Sequence, residues 1–366
     1  MGRIFYSMAG EGRGHATRVR TVVEELRLDH QVVLFAPSVA FEFLKEAYRD
    51  CDDVEVREIP GLQFSYCDRR VSYAKSIRKS LPYLCGLPAL VNSMERLLKD
   101  EHPDLIVTDF EPSLPRAAKR LGLPFISFDH QHFLTTFDLS TLPWPLWLKA
   151  KSIAATIDLF YTGQRETIVS SFFSPGLRSD QTQARSVGVM LRRELQYAVP
   201  QDQGHLLVYL RRFAPPKLME ALRRCDRDVL FYGLGGRPRD GHLRYIEVNE
   251  TGFLDDLIHC QALISNAGNQ LVGEALSLRK PVLAIPEEGN FEQAVNGHFL
   301  SLSGYGISRD ADRFQPDDLK KFLHQASIIR ERIDPEEVVG NQAAMTTIRR
   351  YLPTISPVEL AVAKAA

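Results

Sequence analysis

Residues 264–307 read ISNAGNQLVGEALSLRKPVLAIPEEGNFEQAVNGHFLSLSGYGI. The apolar run Ala262–Ser265 leading into them has the length and composition of a buried strand. Ser265-Asn266-Ala267-Gly268 is turn-like, Gly268–Leu278 has helical spacing, and Pro281–Ile285 reads as a second strand. Strand, turn, helix, strand is the repeating unit of a parallel α/β sheet. The start of such a helix offers N–H groups and a positive dipole end, which suit a diphosphate. Gly268 lets phosphates approach, Asn269 adds a side-chain donor, and Asn266 and Gln270 flank them as further ligand-site candidates. Glu274, six residues after Gly268, is placed to accept both hydroxyls of a ribose. Glu292-Gln293, beyond the second strand, would grip sugar hydroxyls. The plain alternative is a Rossmann-type helix whose Glu274 is a solvated charge. The ordered set of glycine, Glu274, strand and Glu-Gln-x-x-Asn argues against coincidence.

The same rhythm extends in both directions. Arg3–Met8, His30–Ala36, Asp104–Thr108 and Pro124–Phe128 read as strands in the first half, with helical spacing at His15–Leu26, Ser38–Tyr48 and Ser113–Leu121. Leu206–Leu210 and Val229–Tyr232 restart the pattern. The chain has 366 residues, too many for one ordinary core. Two Rossmann-like, doubly wound parallel-sheet domains are therefore expected, 1–187 and 188–340, facing across a cleft; the family resemblance described below implies that the first binds the acceptor and the second the donor. Residues 341–366 would add a closing helix and tail, with helical spacing at Pro335–Tyr351 and a loosely attached Pro353–Ala366. A net charge of −1 provides no global attraction to nucleic acid. Five scattered cysteines without a CxxC pair indicate neither a disulfide framework nor a zinc site. With neither a signal-peptide core nor a spanning segment in the sequence, the expected compartment is the cytoplasm.

Gly10, Gly12 and Gly14, followed by His15, form a glycine-rich turn after the first strand. It departs from the dinucleotide fingerprint, because His15 stands where the third glycine belongs and the second strand ends without a ribose-binding acid. An imidazole at the tip of that strand can act as a general base. A merely exposed or helix-capping histidine is the bland alternative. Asp109, ending another strand of the same sheet, would fix the imidazole's tautomer, with Glu111 competing for that role.

These motifs resemble those of GT-B glycosyltransferases, namely the MurG-like and UDP-glucuronosyltransferase-like families. The matching residues are Gly268, Glu274, Pro281…Pro286 and Glu292-Gln293-Ala294-Val295-Asn296, with Arg279 standing in place of a usual glycine. Gly252–Leu257, including Phe253 and Leu254, resembles the loop and helix whose backbone holds uracil in those families. Gly14-His15 and Asp109 resemble their base and its orienting acid. The resemblance implies an inverting transfer of a hexose or N-acetylhexosamine from a UDP-sugar, with no cofactor beyond that donor substrate. Leu210-Arg211-Arg212-Phe213 replaces the Gly-Gly-Ser loop of MurG. Arg211 would take over phosphate contacts or stand as a solvated rim charge. No metal is expected, since Asp50-Cys51-Asp52 and Asp310-Ala311-Asp312 read as surface acids.

On the acceptor side, His130, Gln131 and His132 follow a strand and would contact the acceptor, with packing at the strand end open for either histidine. The acceptor hydroxyl belongs to a lipid, a cell-envelope glycan or a small molecule. Trp144 and Trp147, helped by the basic segment Arg69–Lys79, would dock at the inner face of a membrane, or else pack in the core or line an acceptor groove. Two other functions use the same plan: UDP-sugar 2-epimerization, and UDP-sugar binding without catalysis. The His15–Asp109 pairing points away from both.

Overall fold

The computed structural model describes residues 1–10, 13–61, 66–67, 70–71, 73–211 and 213–353. Gly12, Arg69, Arg212 and the tail beyond Pro353 lie outside them. The chain divides into two compact units, one of Met1–Ser65, Tyr73–Met190 and Gly340–Ala366, the other of Tyr66–Ser72 and Leu191–Val339.

The first unit runs β1 (Arg3–Met8), α1 (Arg13–Leu26), β2 (Gln31–Ala36), α2 (Ser38–Ala47) and β3 (Val54–Glu58). Next in the chain is a small hairpin that groups with the second unit, β4 (Tyr66–Cys67) and β5 (Arg70–Val71). Then come α3 (Tyr73–Glu101), β6 (Leu105–Asp109), α4 (Ser113–Arg120), β7 (Ile126–Asp129), α5 (Phe133–Thr136), α6 (Trp144–Phe160), β8 (Glu166–Ser170) and β9 (Ala184–Val187). The sheet order is β3-β2-β1-β6-β7-β8-β9 and every pairing is parallel. Its strands β6, β7 and β8 are buried from end to end because both faces are covered, whereas the edge strands β3 and β9 carry charged, partly exposed residues. Ile4, Tyr6 and Met8 of β1 face Val19, Val22 and Val23 of α1, while Phe5 faces Tyr83, Leu87, Val91, Met94 and Leu98 of α3.

The second unit runs α7 (Arg193–Gln196), β10 (Leu206–Tyr209), α8 (Pro216–Arg224), β11 (Val229–Tyr232), β12 (Arg237–Asp240), β13 (Leu243–Ile246) and α9 (Glu250–His259). It continues with β14 (Ala262–Ser265), α10 (Asn269–Ser277), β15 (Val282–Ala284), α11 (Phe291–Leu302), β16 (Gly306–Ser308), α12 (Pro316–Arg332) and α13 (Pro335–Val338). Its sheet order is β12-β13-β11-β10-β14-β15-β16, parallel except for the β12–β13 edge.

The last helix, α14 (Asn341–Arg349), returns to the first unit, where Ala344, Met345 and Ile348 join the core under β1. The single helix expected over Pro335–Tyr351 is thus two. The break falls at Gly340, whose N–H donates to the Val189 carbonyl at 2.9 Å. A Cβ at Gly340 would sit 2.1 Å from the Gly188 carbonyl oxygen, so only glycine lets the two backbones cross there. Residues 341–349 therefore belong to the first core rather than to a separate closing segment.

Candidate active site

In a doubly wound sheet, ligands gather where the strand order reverses, beyond the carboxyl ends of the strands. In the first unit that point lies between β1 and β6. Met8 pairs with Asp109 in the parallel register, and the Ala9 N–H donates to the Asp109 carbonyl at 2.8 Å. The turn into α1 is thereby held beside the end of β6. Gly10 is required in that turn, since a Cβ would lie 2.3 Å from Pro37 at the end of β2.

His15 lies in the first turn of α1, with 14% of its side chain exposed, and its Nδ1 is 2.7 Å from Oδ1 of the fully buried Asp109. Arg18, one turn along the same helix face, grips that carboxylate bidentately, Nε to Oδ2 at 2.9 Å and Nη2 to Oδ1 at 2.7 Å. Burial alone would weaken Arg18's hold on its proton, but Asp109 more than offsets this and the guanidinium stays charged. On the ring's far side, Gln131 Nε2 lies 3.2 Å from His15 Nε2. Arg18 Nη2 also lies 3.1 Å from Nδ1, but the shorter contact there is to the Asp109 carboxylate, which can only accept, so the proton sits on Nδ1 and the lone pair on Nε2 meets the Gln131 amide N–H. That is the form a general base needs.

In the second unit the reversal lies between β10 and β14. Gly268 is the N-cap of α10, has no side chain to satisfy the helix start, and faces open space where a Cβ would be. The preceding Ala267 adopts φ +60°, and the Asn296 amide holds its carbonyl at 2.9 Å. Asn266 does not project outward. Its Oδ1 accepts from the Arg211 N–H at 3.0 Å and its Nδ2 donates to the Ile285 carbonyl at 3.0 Å, tying three strand ends together. Phe253 packs edge-on against Tyr209 and Tyr232, and Leu254 is buried beside it. Asn249 caps their helix by accepting from Gly252 N–H at 2.7 Å. Gln293 is buried, its Oε1 accepting from Glu287 N–H at 2.7 Å, while Glu292 is partly exposed in the first turn of α11. Glu274, 1% exposed, is held by Arg192 through Nε at 3.0 Å and Nη2 at 2.7 Å, and by Gln270 Nε2 at 3.0 Å. It is therefore an ion-paired group, not a solvated charge.

The sequence profile described as glycosyl transferase family 1 matches residues 2–327. The chain belongs to glycosyl transferase family 1. Its fold is shared with solved transferases. A UDP-glucosyltransferase from Polygonum tinctorium superposes with TM-score 0.71 at 13% identity, covering 96% of this chain and 98% of that one. The glycotransferase of kitacinnamycin gives 0.68 at 16% identity, covering 96% and 99%. MurG of Acinetobacter baumannii gives 0.60 at 14% identity, covering 96% and 100%. The fold is GT-B, as the motifs implied. No curated protein matches the transferase.

Three other placements in the transferase refine the sequence reading. Glu111 does not compete for His15. Its carboxylate caps α4, accepting from Ser113 N–H at 2.8 Å and Leu114 N–H at 3.1 Å, and burial raises its pKa against those bonds. His130 is 1% exposed, bonds the Ser170 carbonyl through Nδ1 at 3.1 Å and packs tilted against Phe133 and edge-on to Phe173, so it packs at the strand end. His132 forms a second buried acid–imidazole pair that the sequence reading missed, Nδ1 lying 2.6 Å from Asp129 Oδ2. Burial alone would raise the Asp129 pKa; His132 and Ser127 overcome it and bring the carboxyl to about 2. The spacing Asp129-x-x-His132 was its signal, a strand-end acid followed by a helical turn. Asp50, Asp52, Asp310 and Asp312 are exposed. Among the described residues no group of three or more His, Cys, Asp or Glu is placed to hold a metal.

Proposed function

We propose that the transferase moves a hexose or N-acetylhexosamine from a UDP-sugar to an acceptor hydroxyl in one inverting displacement. The observation that carries this reading is the His15–Asp109–Arg18 set at the β1–β6 reversal, with the His15 lone pair directed away from the carboxylate. A protein that only bound nucleotide-sugars would need no such base. His15 Nε2 takes the acceptor proton as the acceptor oxygen bonds to the anomeric carbon. The bond from that carbon to the β-phosphate oxygen breaks, and its electron pair leaves with UDP. The α10 N-terminus at Gly268 stabilises the departing diphosphate, an effect of up to about 2 kcal/mol in partly buried geometries. Arg211, at the end of β10, adds a charge for the phosphates, and the Phe253–Leu254 backbone holds the base. Support for uridine comes from the UDP-glucosyltransferase of Polygonum tinctorium, which has the same fold.

The test is the anomeric configuration of the product, read by proton NMR in buffer containing a chelator. Inversion with undiminished rate is expected. A product of retained configuration would rule out direct displacement, and loss of rate on chelation would mean that a metal holds the diphosphate.

A peripheral membrane location is favoured by one surface feature. Trp144 is 66% exposed, its ring stacks on Trp147 at 5.8 Å, and Leu148 beside them is 52% exposed. Lys151 Nζ lies 5.5 Å from the Trp147 ring centre. Aromatic rings next to cationic heads suit the headgroup boundary on the cytoplasmic face of an anionic membrane. Arg78 and Lys79 are exposed on α3; the rest of the basic segment has no described side chains. No helix among the described residues is long and apolar enough to cross a membrane. The protein is expected to float with vesicles containing anionic lipid, and Trp144→Ala with Trp147→Ala to remain at the bottom. Failure of the unaltered protein to float removes the membrane reading.

A further inference from the structure

We infer that the nucleoside seat reads a single ribose hydroxyl through Glu274 and tolerates a donor that lacks the other. The inference rests on the reading of Glu274 as the ribose partner. An ionised carboxylate offers about four lone-pair positions. Oε1 of Glu274 receives Arg192 Nε at 3.0 Å and Gln270 Nε2 at 3.0 Å. Oε2 receives Arg192 Nη2 at 2.7 Å. Among the described residues protein donors thus fill three positions, and one remains, on Oε2. Two vicinal hydroxyls donating to one carboxylate need two.

Displacing the arginine to open a second position is unfavourable for reasons visible around it. Arg192 also donates through Nη1 to Glu250 at 3.0 Å, so the guanidinium is clamped between two acids. Its side chain is 15% exposed and that of Glu274 1%, and separating them would leave a buried carboxylate without its cation. Burial works against the charged arginine, yet Glu274 and Glu250 together raise its pKa, so it does not leave by losing its proton. The planar guanidinium fork matches both carboxylate oxygens and holds their orientation. Arg192 and Gln270 are therefore specificity-determining residues of the donor site, although neither needs to touch the sugar.

The experiment compares the affinities of UDP, 2′-deoxy-UDP and 3′-deoxy-UDP for the intact protein by calorimetry. One deoxy analogue is expected to bind within about threefold of UDP. The other should fall by about tenfold or more, the usual effect of losing a hydrogen bond to a charged group. In Arg192→Gln, two lone-pair positions open and the tolerated analogue should also fall about tenfold below UDP. A drop for both analogues in the unaltered protein overturns the single-hydroxyl inference while leaving the donor site intact. A drop for neither overturns Glu274 as the ribose partner, and with it this inference. If UDP itself does not bind, the donor-site reading has failed. The unaltered protein decides the matter even if Arg192→Gln folds poorly.

Discussion

Replacing His15 by alanine is expected to slow turnover by about 100- to 10,000-fold, the usual worth of a positioned general base, with UDP affinity near wild type. The separation of effects follows from where the residue sits. His15 belongs to the first unit and, among the described residues, bonds Asp109, Arg18 and Gln131, whereas Gly268 and Glu274 belong to the second. Alanine removes the Nε2 lone pair and leaves the Asp109–Arg18 pair standing, so the fold should tolerate it. The check is steady-state kcat on the transfer reaction beside calorimetric UDP binding on the same preparation. An unchanged kcat would strip His15 of the base role. A parallel loss of UDP affinity would instead make it part of the donor seat. Gln131 sharpens the reading, because its amide occupies the direction from which an acceptor hydroxyl must approach His15 Nε2. Gln131→Ala should leave the base in place and change KM for the acceptor more than kcat.

Much of the fold was legible because buried parallel strands are short apolar runs, and β1, β11 and β14 match their expected spans residue for residue. Helices were legible where their spacing was uninterrupted. The 29-residue α3 was not, since Pro82 and Pro88 lie inside it and read as breakers, although Tyr83, Leu87, Val91, Met94 and Leu98 keep a helical stripe. β8 and β9 were missed for a different reason. Glu166 opens a short strand, and its buried acid is met by Tyr351, Arg185 and Arg350 from other parts of the chain. No local pattern announces such partners. The site shows the same division. Residues at strand ends, His15, Asp109 and Gly268, could be placed by motif and topology. Arg18 and Arg192 could not, because an arginine in a polar stretch reads as solvated until its buried carboxylate is known. Asn266 and Gln293 illustrate the reverse: both look like ligand-facing amides in sequence, and both engage backbone groups of neighbouring loops.

Asp109→Ala is expected to combine a large loss of stability with loss of activity, and the two have separable causes. The carboxylate is fully buried and accepts from His15 Nδ1 and twice from Arg18. Removing it strands a guanidinium that is itself 3% exposed. Breaking a buried pair by deleting one partner costs about 3–5 kcal/mol. In a domain of this size that corresponds to a fall in melting temperature of about 6–20 °C. Asp109→Asn should be milder in melting, since one oxygen still accepts from Arg18, but not in turnover. Its NH2 would face His15 and require Nδ1 to accept, moving the imidazole proton to Nε2, where no acceptor proton can be taken up. The decisive variant replaces both partners, Arg18→Met with Asp109→Leu. No charge is then stranded, and apolar replacement of a buried pair is often neutral or stabilising. Its melting temperature should recover toward wild type while turnover stays low. If turnover recovered together with stability, Asp109 would serve only to neutralise Arg18, and His15 would need no carboxylate to act as base.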